Sequence, residues 1–210
     1  MAPAHPIRRG VIARGLSRVL CRAPVRRRNL LAAVLLLPTW LLLVFPVNSA
    51  NEPGSLEHQV KAAFLYKFAS YVEWPPALFP EEGTPITIAV MGAAPIAAEL
   101  ERVAVGRSAQ GRPITVKRLN AGEPLEGHHI VFVGLDETRR LSRVAEAAAV
   151  QSILVVTDTA GALTKGSMIN FILADGKVRF EIARDAAEKS GLKVSSRLLA
   201  VAQQVVTEAP

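Results

Sequence analysis

The sequence predicts a single α/β domain with a mostly parallel central sheet flanked by helices and closed by a C-terminal hairpin and helices. Three observations predict it. Apolar, β-branched runs alternate with segments of helical periodicity from residue 85 to residue 157, as in strands joined by crossover helices. Two of these runs, HIVFVG at His129–Gly134 and ILVVT at Ile153–Thr157, are apolar almost throughout, as strands covered on both faces must be. Further on, Ala174-Asp175-Gly176 separates two more strand-like runs with the turn chemistry of a hairpin.

The opening element is helical. His58–Pro76 reads HQVKAAFLYKFASYVEWPP and holds Phe64, Tyr66, Phe68, Tyr71 and Trp74, five of the chain's eleven aromatic residues. Leu56, Val60, Phe64 and Phe68, then Tyr71 and Val72, recur at helical spacing and form one apolar stripe. Pro75 and Pro76 stop the helix, because proline lacks an amide donor and its ring clashes with the preceding turn. Pro85–Val90 is the first strand, bounded by Thr84 and by Met91-Gly92. Ala94–Val103 follows as a helix with Pro95 in its first turn, and Ile114–Leu119 alternates like a half-buried strand. Beyond His129–Gly134, Asp136–Ala149 places Leu141, Val144, Ala145 and Ala148 on one helical face. After Ile153–Thr157, Gly161 and Gly166 break the chain, and Met168–Leu173 and Lys177–Ile182 form the hairpin. Arg184–Ser190 is a helix ending at Gly191, a favourable C-cap. Ser195 or Ser196 caps a last helix over Arg197–Val206.

Charge divides the chain at its start. The formal charge is +7, yet residues 1–50 carry eight arginines and no acid, which leaves 17 basic against 18 acidic side chains in the body. The basic balance therefore gives no reason to expect a nucleic-acid partner. Arg26, Arg27 and Arg28 precede an apolar run from Leu30 to Val47, and small residues follow at Ser49 and Ala50. Residues 1–50 thus read as a cleavable signal peptide with a basic N-terminal extension, and residues 51–210 as the exported domain. The competing reading is an uncleaved anchor, since the run is close to the roughly 17 residues that span a bilayer. The single cysteine, Cys21, lies in the leader, so the body offers neither an internal disulfide nor a thiol nucleophile. With about 160 residues, such a domain buries roughly two thirds of its unfolded surface without covalent staples.

Catalytic and metal chemistry lack a signature. The body's histidines are His58, His128 and His129, and adjacent histidines on an extended chain point to opposite faces, which makes His128 and His129 poor co-ligands. Ser167, Ser195 and Ser196 lie outside any G-x-S-x-G context, and the last two read as helix caps. Met91-Gly92-Ala93-Ala94-Pro95 resembles half of a phosphate-binding turn but lacks its glycine spacing and lysine. Asp158 follows a buried strand, where it serves either a functional edge or the next turn. Glu181 and Arg179 share a sheet face out of phase with Val178, Phe180 and Ile182. A non-enzymatic chain without cofactor or metal is the expectation.

Two long motifs, VKAAFLYKFASYVEWP at Val60–Pro75 and SMINFILADGKVRFEIARDAAEKSGLKVSSRLLAVA at Ser167–Ala202, resemble the YfiR-like family of exported proteins. Gly111-Arg112-Pro113-Ile114 and His129–Gly134 fall between them in the family's order. The resemblance implies an α/β fold capable of dimerising, no catalytic residues, and a periplasmic regulator. Its implied partner is the periplasmic part of an inner-membrane diguanylate cyclase, which it represses to lower cyclic di-GMP, or of a sensor kinase. An outer-membrane lipoprotein that sequesters the repressor is a further implied partner. The characterised repressor depends on cysteine pairs, and this body has none, so redox control of that kind is excluded. The competing function is a periplasmic small-molecule binding module reporting to another receptor.

Two segments stand out as contact surface. Tyr66 lies off the apolar stripe, and Tyr71, Glu73 and Trp74 lie near its end, where tyrosine and tryptophan combine apolar area with a polar tip. At the Gly191–Arg197 turn, Lys193 and Arg197 could meet an acidic partner or a small anion beside the Ser195–Ser196 helix start.

Overall fold

In a computed structural model, which describes residues 53–207, the chain opens with helix α1 (Pro53–Tyr71). The expected leader, with its signal or anchor and Cys21, lies outside the described residues. Strand β1 (Val72–Glu73) continues α1, and β2 (Ile86–Met91) leads into α2 (Ala94–Ala104). Next come the short β3 (Ser108–Ala109), β4 (Arg112–Leu119), β5 (Ile130–Val133), α3 (Leu141–Ala149) and β6 (Leu154–Thr157). The hairpin follows as β7 (Ile169–Ala174) and β8 (Lys177–Ala183), then α4 (Arg184–Lys189), β9 (Lys193–Val194), α5 (Ser196–Val201) and β10 (Gln204–Val206). Among the described residues no helix is long and apolar enough to cross a membrane.

The expected architecture is present. Eight strands form one sheet in the order β3-β4-β2-β5-β6-β7-β8-β10. From β4 to β7 the strands run parallel, β8 reverses against β7, and β10 lies parallel to β8. Period-two alternation then sorts the buried side chains onto two faces. Ile86, Ile88 and Val90 of β2, Ile130 and Phe132 of β5, and Leu154 and Val156 of β6 join one core with the buried residues of α1, α2, α4 and α5. Ala89, Met91, Val131, Val133 and Val155 point the other way, into a second core closed by Leu141, Val144 and Ala148 of α3. The hairpin is tied to α1 by rings: Phe68 lies 5.8 Å from Phe171 and 5.3 Å from Phe180, centroid to centroid, and Phe64 lies 5.3 Å from Phe180.

Three expectations need correction. Ala62, Leu65, Phe68 and Ala69 form the buried stripe of α1, continued by Val72 of β1, whereas Leu56 is 53% exposed and Val60 and Phe64 are half-buried. The stripe is rotated because α1 packs along α2 as well as onto the sheet. The last helix ends at Val201 instead of running to Val206, because Gln204–Val206 peels off to pair with Glu181–Ala183 of β8. At the other rim, β3 was not foreseen; it covers β4 only at Arg112 and Pro113, so the outer edge of Thr115–Leu119 has no strand partner among the described residues.

The order β4-β2-β5-β6-β7 places a reversal of strand order between β2 and β5, where open α/β sheets usually receive ligands at the carboxyl ends of the strands. Here the chain fills that crevice itself. The Gly134 amide donates to the Met91 carbonyl at 2.8 Å, and a Cβ on Gly134 would collide with the Gly92 carbonyl oxygen. A Cβ on Gly92 would in turn lie 2.8 Å from the Glu137 side chain. Gly134 has φ −79°, so close approach alone requires glycine there. Gly134→Ala should therefore cost about 1–3 kcal/mol, as overpacking does; urea denaturation would check it, and an unchanged midpoint would contradict the close packing.

Candidate functional site

The end of α1 and the Gly191–Arg197 turn, remote in sequence, meet. Beyond Tyr71 the chain is extended, and β1 pairs antiparallel with β9, Val72 opposite Val194 and Glu73 opposite Lys193. The Ser195 amide donates to the Tyr71 carbonyl at 2.9 Å. Ser195, one of the two serines expected to cap, accepts the Leu198 amide on its hydroxyl oxygen at 3.3 Å and so starts α5. Glu73, Lys193 and Arg197 are exposed and Tyr71 is half-buried. Four candidate contact residues thus surround one small ladder.

Tyr66 stands apart from them, beside β3. Its hydroxyl donates to the Ser108 carbonyl at 3.4 Å, and the Arg107 guanidinium lies 5.3 Å from its ring centroid. Trp74 is 7% exposed and belongs to the core, which corrects its assignment to a contact surface. Helical extrapolation would leave it at the stripe's edge, but along an extended β1 Val72 and Trp74 face inward and Glu73 outward. Its indole N–H donates to the His129 carbonyl at 3.1 Å. Gln110 is a further organising residue that the sequence did not disclose. Its side-chain amide donates to the carbonyls of Ala69 at 2.8 Å and Val72 at 2.7 Å, satisfying the end of α1 where helical partners run out.

Below Trp74, His129 is 4% exposed. Its Nδ1 accepts the Thr87 amide at 3.1 Å, which places the ring proton on Nε2. Phe79 stacks on the ring at 4.7 Å and 11°, and the Arg112 guanidinium lies 4.1 Å from the Phe79 centroid. Burial, with the neighbouring His128 and Arg112 acting in the same direction, pushes the His129 imidazole down to about 4. His128 has the other tautomer, since its Nδ1 lies 2.9 Å from the Leu125 carbonyl, which can only accept.

At the opposite, carboxyl end of the strands lies a polar centre. Lys61, 7% exposed, donates to Glu57 at 2.6 Å and to Asp158 at 2.9 Å. Burial opposes its charge, but the hydrogen bonds and charges of Glu57 and Asp158 outweigh that and hold the ammonium above its usual range. Next to it, Asn170 accepts from the Thr157 hydroxyl at 2.7 Å and the Thr159 amide at 3.0 Å, and donates to Glu181 at 2.9 Å. Asp158 therefore pairs with a lysine of α1 instead of capping a turn, and Glu181 binds Asn170. His128 and His129 precede β5 at the amino end while Asp158 follows β6 at the carboxyl end, so these acids and histidines do not converge. Among the described residues, no group of three or more His, Cys, Asp or Glu side chains could hold a metal ion. The Glu57–Lys61 spacing of four was the available signal for this centre.

A model of the YfiR/HmsC-like family matches residues 58–203. No curated protein matches the chain. Among solved structures, a conserved domain protein from Vibrio cholerae O1 biovar El Tor aligns at 13% identity with a TM-score of 0.49, covering 70% of this chain and 60% of that one. An ABC domain from Streptococcus pneumonia, solved in complex with L-Trp, aligns at 10% identity with a TM-score of 0.48, covering 71% and 60%. The chain thus spans about 60% of the length of either structure.

Two outcomes are expected. Because the folded His129 titrates near 4 and the unfolded near 6.5, stability present above pH 6.5 is lost as pH falls toward 4. That loss is about 3 kcal/mol, and His129→Asn, which retains an acceptor for Thr87, should flatten it in denaturation curves at pH 7 and pH 4. Lys61→Met should cost about 3–5 kcal/mol by stranding a buried carboxylate, and the double variant with Asp158→Asn should recover part of that loss in thermal melts.

Proposed function

We propose that this chain, which belongs to the YfiR/HmsC-like family, binds the periplasmic sensory region of an inner-membrane diguanylate cyclase and represses it, lowering cyclic di-GMP. The family is one of periplasmic regulators of such cyclases and is not catalytic. Cleavage of the leader near residue 50 delivers the domain to that compartment. A sensor kinase is the other membrane partner consistent with the family, and an outer-membrane lipoprotein or a second copy of the chain completes the proposed set of contacts.

The observation that carries the reading is the β1–β9 ladder. It sets the exposed Glu73 opposite the exposed Lys193, with half-buried Tyr71 and exposed Arg197 flanking the ladder in sequence. Opposed charges at a solvated strand pair contribute little to stability, so these side chains are available to set partner choice and association rate. Tyr66, beside Arg107 and β3, lies apart from that patch and would form a separate contact.

Capture of co-encoded membrane sensors by the purified protein, together with cyclic di-GMP measurement on deletion, tests the proposal. Retention of a cyclase sensory region and a rise in cyclic di-GMP are expected. Glu73→Lys and Lys193→Glu should each weaken capture about tenfold or more while changing the melting temperature little, and combining them should not restore capture, because each meets the partner. Retention of no sensor, with cyclic di-GMP unchanged, would overturn the reading.

A further inference from the structure

Two adjoining cavities flank the amino-terminal half of α1, at the other end of that helix from the ladder. One, of about 310 Å³, is walled by Lys61, Asp158, Glu57, Leu135, Phe171 and Leu173. The other, of about 560 Å³, shares Glu57 and Leu173 and continues past Leu56, Val60 and Phe64. Leu56, Leu135 and Leu173 are 53%, 66% and 63% exposed, three of the six large apolar side chains so exposed among the described residues. Such a concentration of exposed apolar surface marks a binding site.

The polar end is incompletely matched. Glu57, Lys61 and Asp158 together carry two carboxylates and one ammonium, a surplus of one negative charge. Lys61 engages Asp158 through Oδ2, while Oδ1 is buried without a hydrogen-bond partner, on a side chain only 9% exposed. A buried acceptor bearing charge is costly unless a donor reaches it. Rotation about the last side-chain bond of aspartate is soft, so the carboxylate can turn toward the cavity it lines. Two carboxylates do not make a metal cage; beyond them the smaller cavity is lined by Leu135, Phe171, Ile172 and Leu173, and Lys177 and Arg179 stand in the wall of the larger one. A positively charged N–H donor on an apolar body matches Asp158 at one end and the apolar wall of the smaller cavity beside it.

We propose that these cavities form a binding site for an amphiphilic organic ammonium ion. Its ammonium donates to Asp158 Oδ1, making a neutral quartet with Glu57, Asp158 and Lys61, and its apolar body lies along Leu173 toward Phe64. The site is independent of the proposed partner patch.

The probe is n-hexylammonium titrated into the purified protein, followed by amide chemical shifts, with 1-hexanol and hexanoate as comparators. Saturable shifts at Ala160, Ile172 and Leu173 are expected for the ammonium, with binding at least about tenfold weaker for the alcohol and the acid. Asp158→Asn should weaken binding about tenfold or more. Should that variant fail to fold, Glu57→Gln, at a side chain 30% exposed, lowers the same surplus charge and should weaken binding likewise. Leu173→Ser should weaken binding from the apolar side. Absence of saturable shifts, equal binding of 1-hexanol, or undiminished binding by the carboxylate variants would overturn the proposal. Sensor capture by the β1–β9 patch is read separately, so either proposal can fail alone.

Discussion

Strands β2, β5 and β6 are apolar on both faces, and a sheet of that kind is stable only if each face is roofed. On one side α3 supplies the roof. On the other, α1 and α2 supply most of it, and α1 also reaches over the hairpin through Phe64 and Phe68. With no cysteine in the body, nothing covalent holds that helix in place. The seating of α1 is therefore the interaction on which the remaining features rest.

Seating is secured at both ends by polar groups. Near the start, Lys61 is carried under the roof and must find carboxylates there, which it does in Glu57 and Asp158. At the finish, Gln110 takes the terminal carbonyls, β1 pairs with β9, and the Trp74 indole bonds to the backbone at His129. Buried hydrogen bonds of this sort stabilise modestly when made and cost more when broken, so they fix where the helix lies more than how strongly it is held. The two regions with functional prospects are by-products of this arrangement, one at each end of α1.

Much of the fold was legible in the sequence because it depends on local pattern. His129–Gly134 and Ile153–Thr157 announce themselves by composition, Asp175-Gly176 by turn chemistry, and α3 by the spacing of Leu141, Val144, Ala145 and Ala148. What was illegible depends on partners distant in the chain. No local signal in Val72-Glu73 or Lys193-Val194 says that they pair. The switch from α5 to β10 is decided by the free edge of β8, with which Gln204–Val206 pairs. Trp74 was misplaced because helical phase was extended across a residue that is already strand. Of the proposed contact residues, Glu73, Lys193 and Arg197 are individually readable as surface, but the pairing of Glu73 with Lys193 is a tertiary fact.

The outer edge of β4 has a consequence for how the protein behaves in crowded solution. From Thr115 to Leu119 its backbone faces no further strand among the described residues, and an open edge invites pairing with the edge of another molecule. Lys117 and Arg118 stand on that stretch, and Arg118 is braced by two contacts to Glu101 of α2 at 2.8 and 2.9 Å. Two copies approaching edge to edge would bring like charges together over a few residues. At the opposite rim β10 is three residues long, too short to template much. The molecule thus discourages open-ended sheet growth at both rims, and the proposed contacts at α1 and its two ends involve no sheet edge of that kind.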